Sequence, residues 1–124
     1  MRSKLLRLRD KCCDLLSEYV RRRDLGRCIT CGVIKDWKEQ HAGHFIHGVT
    51  TPIYLNEINV NCQCPKCNTF LHGNLAVYSV KLIQKHGIKK VKWLLAQRDK
   101  IKRFKVGELQ ELIKYYQEKI KELL

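Results

Sequence analysis

Four of the seven cysteines fall in two Cys-x-x-Cys pairs, Cys28/Cys31 and Cys64/Cys67. Two such knuckles place four sulfurs at the corners of a tetrahedron, the donor set of a closed structural zinc site. In a chain of 124 residues a staple of this kind can contribute on the order of 10 kcal/mol of apparent folding free energy. Cys62 lies two residues before Cys64 and competes as a ligand, although the regular two-residue spacing favours Cys64 and Cys67. Cys12 and Cys13 fall in a helical pattern and read as small buried hydrophobes. A second group of side chains lies between and just after the knuckles: His41, His44, His47 and His72, with Asn59, Asn61 and Asn68. Scattered surface histidines would rarely cluster so. A neutral imidazole titrates near the pH at which a general base must work, so this segment is the candidate reactive centre.

The elements that must position these groups follow from hydrophobic period. Leu5, Leu8, Cys12, Leu15/Leu16 and Tyr19 make a stripe of three-and-four spacing, which predicts an amphipathic helix from Ser3 to about Arg23, ending near Gly26. Residues 33–62 have no helical period, and Val33–Ile34, Gln40–Ile46 and Val60–Cys62 read as short strands. A long connection from His47 to Ile58 is punctuated by Thr51-Pro52 and Asn56. A helix is expected after Cys67, disturbed at Gly73, resuming through Leu75, Tyr78 and Leu82, and stopping at Gly87. Ile88, Val91 and Leu94/Leu95 mark a further helix reaching to between Phe104 and Gly107. Leu109, Leu112/Ile113, Tyr116, Ile120 and Leu123 mark the last. That helix either folds back on the first or pairs with a second copy, so a homodimer is an open alternative.

The net charge is +13, and its placement is uneven. Residues 1–27 carry a balance of +5, residues 28–73 are neutral, and residues 74–124 carry +8. A neutral Cys/His centre between two basic helical arms points to a polyanion partner, because each neutralised phosphate releases counterions. Arg21, Arg22, Arg23 and Arg27 border the first knuckle, and Lys89, Lys90 and Lys92 lead the later basic run. These are the candidate phosphate contacts, positioning a strand without reading bases. Trp37 and Trp93 are expected in the core, with stacking on unpaired bases as the alternative. No apolar run of membrane-spanning length occurs. The N-terminus is broken by charges, so no export signal is expected, and the cysteines are expected to meet a reducing cytoplasm.

The order of parts resembles the HNH, or ββα-metal, nucleases of the four-cysteine zinc type, whose last motif reads N-x-x-x-x-C-x-x-C-[HN]. Here that motif is Asn59-Val-Asn-Cys-Gln-Cys64-Pro-Lys-Cys67-Asn68. More closely, the chain resembles the phage NinG/Rap recombination nucleases. The resemblance rests on Arg23-Asp24, Cys28-Ile-Thr-Cys31-Gly32, Ala42-Gly43-His44-Phe45, the run from Asn59 to Asn68, and Gly73-Asn74 with Tyr78. It covers about residues 19–87 and implies an α+β fold. A zinc-stapled ββα-metal core (28–73) would be flanked by a basic N-terminal helix (1–27) and a basic helical C-terminal part (74–124), in one domain.

The resemblance implies metal-dependent hydrolysis of DNA phosphodiesters in branched recombination intermediates such as Holliday junctions and D-loops. It puts His44 at the position of the general base and Asn68 at that of a metal ligand. Asn59 matches the residue that braces the loop and orients the base. A divalent cation, Mg2+ or Mn2+, would offset charge on the phosphorane and the leaving oxygen; an imidazole-rich pocket tolerates Mn2+, whereas Mg2+ prefers oxygen ligands. One departure stands out: the usual metal-binding Asp before the base is Gly43 here. His41, on the same face of the strand as position 43, could lean into the vacated space. His72, one turn beyond Asn68 on the expected helix, is a further candidate ligand. The competing readings are a zinc-stapled DNA-binding module whose Gly43 marks a dead site and, behind it, a basic protein-interaction adaptor.

Overall fold

The computed structural model describes residues 2–124. Helix α1 spans Lys4–Arg23. Its first turn is closed by Ser3, whose hydroxyl accepts from the amide of Leu6 at 3.2 Å, satisfying a donor that has no partner within the helix. Arg21, Arg22 and Arg23 occupy its last turn, where cations face the negative end of the helix dipole.

Strands β1 (His41–His44) and β2 (Val60–Gln63) form one antiparallel hairpin, with His41 opposite Gln63 and His44 opposite Val60. The expected strand at Val33–Ile34 is only an isolated bridge between Ile34 and Arg27; two residues closing a metal knuckle are too few to build a ladder. After β2 the chain makes one wide helical turn of π type, Lys66–Phe70. The helix expected to continue from there breaks at once, and helix α2 (Leu75–His86) starts afresh. Helix α3 spans Ile88–Gln97, shorter than expected. Past Gln97 the apolar period lapses into Arg98-Asp99-Lys100, and the chain runs on with the amide of Lys102 held by the Thr50 carbonyl at 2.7 Å. Helix α4 covers Val106–Leu123, and the Glu108 carboxylate caps it by accepting from the amide of Lys105 at 3.0 Å.

Two apolar clusters form the core. In the first, Leu16, Tyr19 and Val20 of α1 meet Leu109, Ile113, Tyr116 and Ile120 of α4, with Val60 of β2 at their edge. The last helix thus folds back on the first. In the second, Tyr78 and Leu82 of α2 and Val91 and Leu94 of α3 pack on Ile53 of the long connection. Each such apolar side chain contributes about 1.5–3 kcal/mol on burial, and the Tyr78 hydroxyl joins the second cluster to both strands, donating to the Gly43 carbonyl at 2.6 Å and accepting from the Asn61 side-chain amide at 3.1 Å. Among the described residues no helix is long and apolar enough to cross a membrane.

Candidate metal centre and histidine cleft

The first knuckle closes immediately after α1. The amide of Cys28 donates to the Val33 carbonyl at 2.9 Å, and that of Gly32 to the Cys28 carbonyl at 2.9 Å. Gly32 sits at φ 80°, a left-handed conformation that costs glycine little. The second knuckle joins the end of β2 to the π turn. All four sulfurs, of Cys28, Cys31, Cys64 and Cys67, lie within 4.8 Å of one another. Cys31 and Cys64 Sγ are 3.7 Å apart, and a tetrahedron with zinc–sulfur bonds of about 2.3 Å has edges of about 3.8 Å. The amides of Cys31 and Cys67 point at the sulfurs of Cys28 (3.5 Å) and Cys64 (3.4 Å), where thiolate charge would reside. Burial raises the Cys28 pKa, but the Cys31 amide and the Thr30 hydroxyl outweigh it and lower that thiol to about 6. Cys31 is pushed up to about 12 by burial and by the neighbouring Cys28 and Cys64. Thiols crowded this closely favour a cation among them, and the donor set fits zinc. Cys62 is outside the cluster, buried in β2, with its thiol driven to about 12 chiefly by burial.

On the other side of the hairpin, a cleft of about 520 Å3 is walled in part by Asp14, Arg21, His41, His44, Tyr54 and Asn68. His44 Nε2 lies 2.9 Å from the Tyr54 carbonyl. A carbonyl only accepts, so Nε2 carries the hydrogen and Nδ1 the free lone pair. The ring stacks on Tyr54 at 4.7 Å between centroids. Burial holds its pKa below 6.5 against the Tyr54 hydrogen bond, and His47 lowers it further. Asn59 is fully buried. It accepts from the Ile46 amide and donates to the Ile46 carbonyl, both at 2.9 Å, and to the Ile53 carbonyl at 3.2 Å, closing the loop that presents Tyr54.

His41 and Asn68 are brought together, Nδ1 of the histidine 3.1 Å from the Asn68 side-chain nitrogen. The space beside Gly43 is filled by Gln63 rather than by His41: a Cβ at position 43 would lie 2.0 Å from Gln63 Oε1 and 3.2 Å from Asn68 Oδ1. His72 is not on a continuous helix with Asn68. It sits exposed in the turn after Phe70, at φ 51°, and among the described residues no hydrogen bond joins its ring to His41, His44 or Asn68.

The basic residues divide. Arg23 is turned inward, its guanidinium on Asp24 (2.8 Å), the Glu57 carbonyl (2.8 Å) and Asn61 Oδ1 (3.0 Å). Arg22 and Arg21 lie over the Trp37 ring at 4.3 and 5.0 Å. Arg27 is exposed, as are Lys89, Lys90 and Lys92 on α3. Trp93, expected in the core, is 47% exposed beside those lysines. Sequence reasoning missed Asp24 as an anchor. Its carboxylate holds Arg23, Lys85 Nζ (2.6 Å) and the Cys62 amide (2.9 Å), tying α1, α2 and β2 together. It also missed Gln63; the one signal available was a glycine in a strand diagonal to a long polar side chain.

These features define a small α+β protein with a two-stranded sheet, packed helices and a four-cysteine cluster able to hold zinc. The family model described as "Bacteriophage Lambda NinG protein" matches residues 4–124, and the chain belongs to the NinG family. It is 31% identical over 110 residues to Protein ninG of Escherichia phage lambda, an alignment covering 87% of this chain and 53% of that protein. Protein ninG of Salmonella phage P22 is 32% identical over 110 residues, covering 87% and 53%, and that of Escherichia phage 933W 31%, covering 87% and 54%. The chain thus spans about half the length of the curated relatives it matches. No solved structure matches it.

Proposed function

We propose that the chain is a metal-dependent, structure-selective endonuclease that hydrolyses phosphodiester bonds in branched DNA. In this reading its core is an HNH, or ββα-metal, unit, and its four cysteines hold a structural zinc. One observation carries the reading: His44, its Nε2 committed to the Tyr54 carbonyl, is free at Nδ1 in a cleft shared with the His41–Asn68 pair. His44 takes the proton of the attacking water at Nδ1, and the Tyr54 carbonyl steadies the imidazolium that forms. Asn59 acts through the loop, fixing Ile46 and Ile53 and with them the carbonyl that orients the base. A divalent cation, Mg2+ or Mn2+, supplies charge neutralisation at the phosphate and the leaving oxygen when bound; Asn68 and His41 are the wall residues suited to hold it.

The purified chain should nick a synthetic four-way junction with Mn2+ or Mg2+. His44→Ala should slow nicking by about a hundredfold or more while junction affinity stays unchanged. Tight binding without cleavage in either metal would remove the reading. It would favour the alternative, a zinc-stapled DNA-binding module without catalysis, for which the glycine at position 43 is the supporting observation.

A further inference from the structure

Gln63 is fully buried, and its amide is oriented by its neighbours. Nε2 donates to the Gly73 carbonyl at 2.7 Å and to the Thr30 hydroxyl at 3.3 Å. A carbonyl cannot donate, so the amide cannot be flipped without losing the shorter bond. Thr30 in turn lies 3.1 Å from Cys28 Sγ. A hydroxyl oxygen accepts as well as donates, so Thr30 can take the Gln63 amide hydrogen while it meets the Cys28 sulfur. What remains is Oε1, a buried oxygen with no hydrogen-bond partner among the described residues. A buried acceptor left unpaired has given up its water without a replacement, so something is expected to meet it.

Oε1 lies in the space where Gly43 lacks a side chain, 2.0 Å from the position a Cβ would take, and Asn68 Oδ1 is 3.2 Å from the same point. His41 Nδ1 receives the Asn68 amide nitrogen, which turns Oδ1 toward that space. Two amide oxygens, one of them orphaned and buried, therefore converge where the family pattern has a carboxylate. Amide and carbonyl oxygens are hard donors suited to Mg2+ or Mn2+.

We infer that Gln63 Oε1 and Asn68 Oδ1 form a carboxylate-free divalent-cation site, with Gln63 on β2 standing in for the aspartate absent from position 43 on β1. The site has a consequence that an aspartate site lacks. Its protein ligands are neutral, so the phosphate of the bound nucleic acid supplies the compensating charge, and cation and DNA load together. Thr30 joins the site to the four-cysteine cluster, 3.1 Å from Cys28 Sγ and 3.3 Å from Gln63 Nε2. The inference rests on the nuclease reading for its context but is tested by binding alone.

The test is Mn2+ binding, followed by loss of the free-ion electron paramagnetic resonance signal. It is run in the His44→Ala background, so that junction DNA stays intact, and corrected for Mn2+ held by DNA alone. The parent should bind one Mn2+ per chain only when DNA is present. Adding Gln63→Ala should weaken that binding at least tenfold in a chain that still holds one zinc. Adding Gly43→Asp to Gln63→Ala should restore it, since the shortened side chain vacates room for the aspartate, and should make it independent of DNA. If Gln63→Ala loses zinc, Asn68→Asp decides, because it leaves the buried bonds of Gln63 intact. It should tighten Mn2+ at least tenfold without DNA, and unchanged affinity would overturn the assignment. Mn2+ binding within twofold of the parent in zinc-loaded Gln63→Ala would also overturn it, even if the native chain cuts junctions. Gln63-dependent Mn2+ binding in a native chain that cuts nothing would keep the site and discard the nuclease reading.

Discussion

His44, the proposed general base, is held by two neighbours of different kinds. The Tyr54 carbonyl fixes its tautomer, and burial, reinforced by His47, keeps its pKa below the usual 6.5. A depressed pKa leaves the imidazole neutral at pH 7, and protonation sets in only as pH falls through the lowered value. Single-turnover cleavage should therefore be flat above about pH 6.5 and fall about tenfold per unit well below it. The residual rate of His44→Ala should show no such limb. His47→Ala, by removing a charge that opposes protonation of His44, should move the limb toward higher pH, and an unmoved limb would assign it to another group. At this scale the legible residues were those whose signal is local. The four cysteines announce themselves by a two-residue gap, and His41 and His44 lie between them. Asp24 and Gln63 carry no such mark. Asp24 matters because it meets Lys85 and the Cys62 amide, and Gln63 because of an absent side chain on the neighbouring strand. Such contacts exist only once the chain has closed.

Between residues and whole molecule, the hairpin and the π turn adjoin the four-cysteine cluster, and the long helices pack apart from it. Cys64 and Cys67 bracket the junction of β2 with Lys66–Phe70, and the four-sulfur cluster is separate from the α1–α4 contact. Removing zinc with a chelator, or with Cys28→Ser, should therefore leave most of the helical circular dichroism in place. Amide hydrogens of residues 28–34 and 60–74 should lose protection in exchange measurements, because binding free energy of this kind is local folding free energy. Uniform loss of protection across α1 and α4 would mean that the two parts unfold as one. The same division governs what periodicity could reveal. Helices α1, α2 and α4 bury a stripe, so their three-and-four spacing showed. The chain from Cys67 to Asn74 is shaped by the four-cysteine cluster, by positive φ at His72 and Asn74, and by the Gln63–Gly73 bond. None of these leaves a period, which is why the sequence alone suggests a helix through His72 where the structure has a turn.

Across the whole molecule, the net charge of +13 is partly spent inside. Arg23 and Lys85 neutralise Asp24, and Arg21 and Arg22 cover Trp37. The lysines at 89, 90 and 92 are exposed on α3, and among the described residues none of them has a carboxylate partner. Beside them Trp93 is 47% exposed rather than in the core, and in the proposed function it is the side chain available to stack on a base. Grip and structure selectivity should then separate experimentally. Replacing Lys89, Lys90 and Lys92 together with alanine removes up to three phosphate contacts. The log–log salt slope of binding should shrink by about 2.5, equally for duplex and four-way junction. Trp93→Ala removes no charge and should leave the slope unchanged. It should weaken junction binding by about 1–3 kcal/mol, the cost of losing one base stack, and leave intact duplex, whose bases are already stacked, nearly unaffected. Fluorescence anisotropy on matched duplex and junction over a salt series measures both quantities. Equal losses on the two DNAs for Trp93→Ala would mean that selectivity for branches is set elsewhere, at the histidine cleft itself.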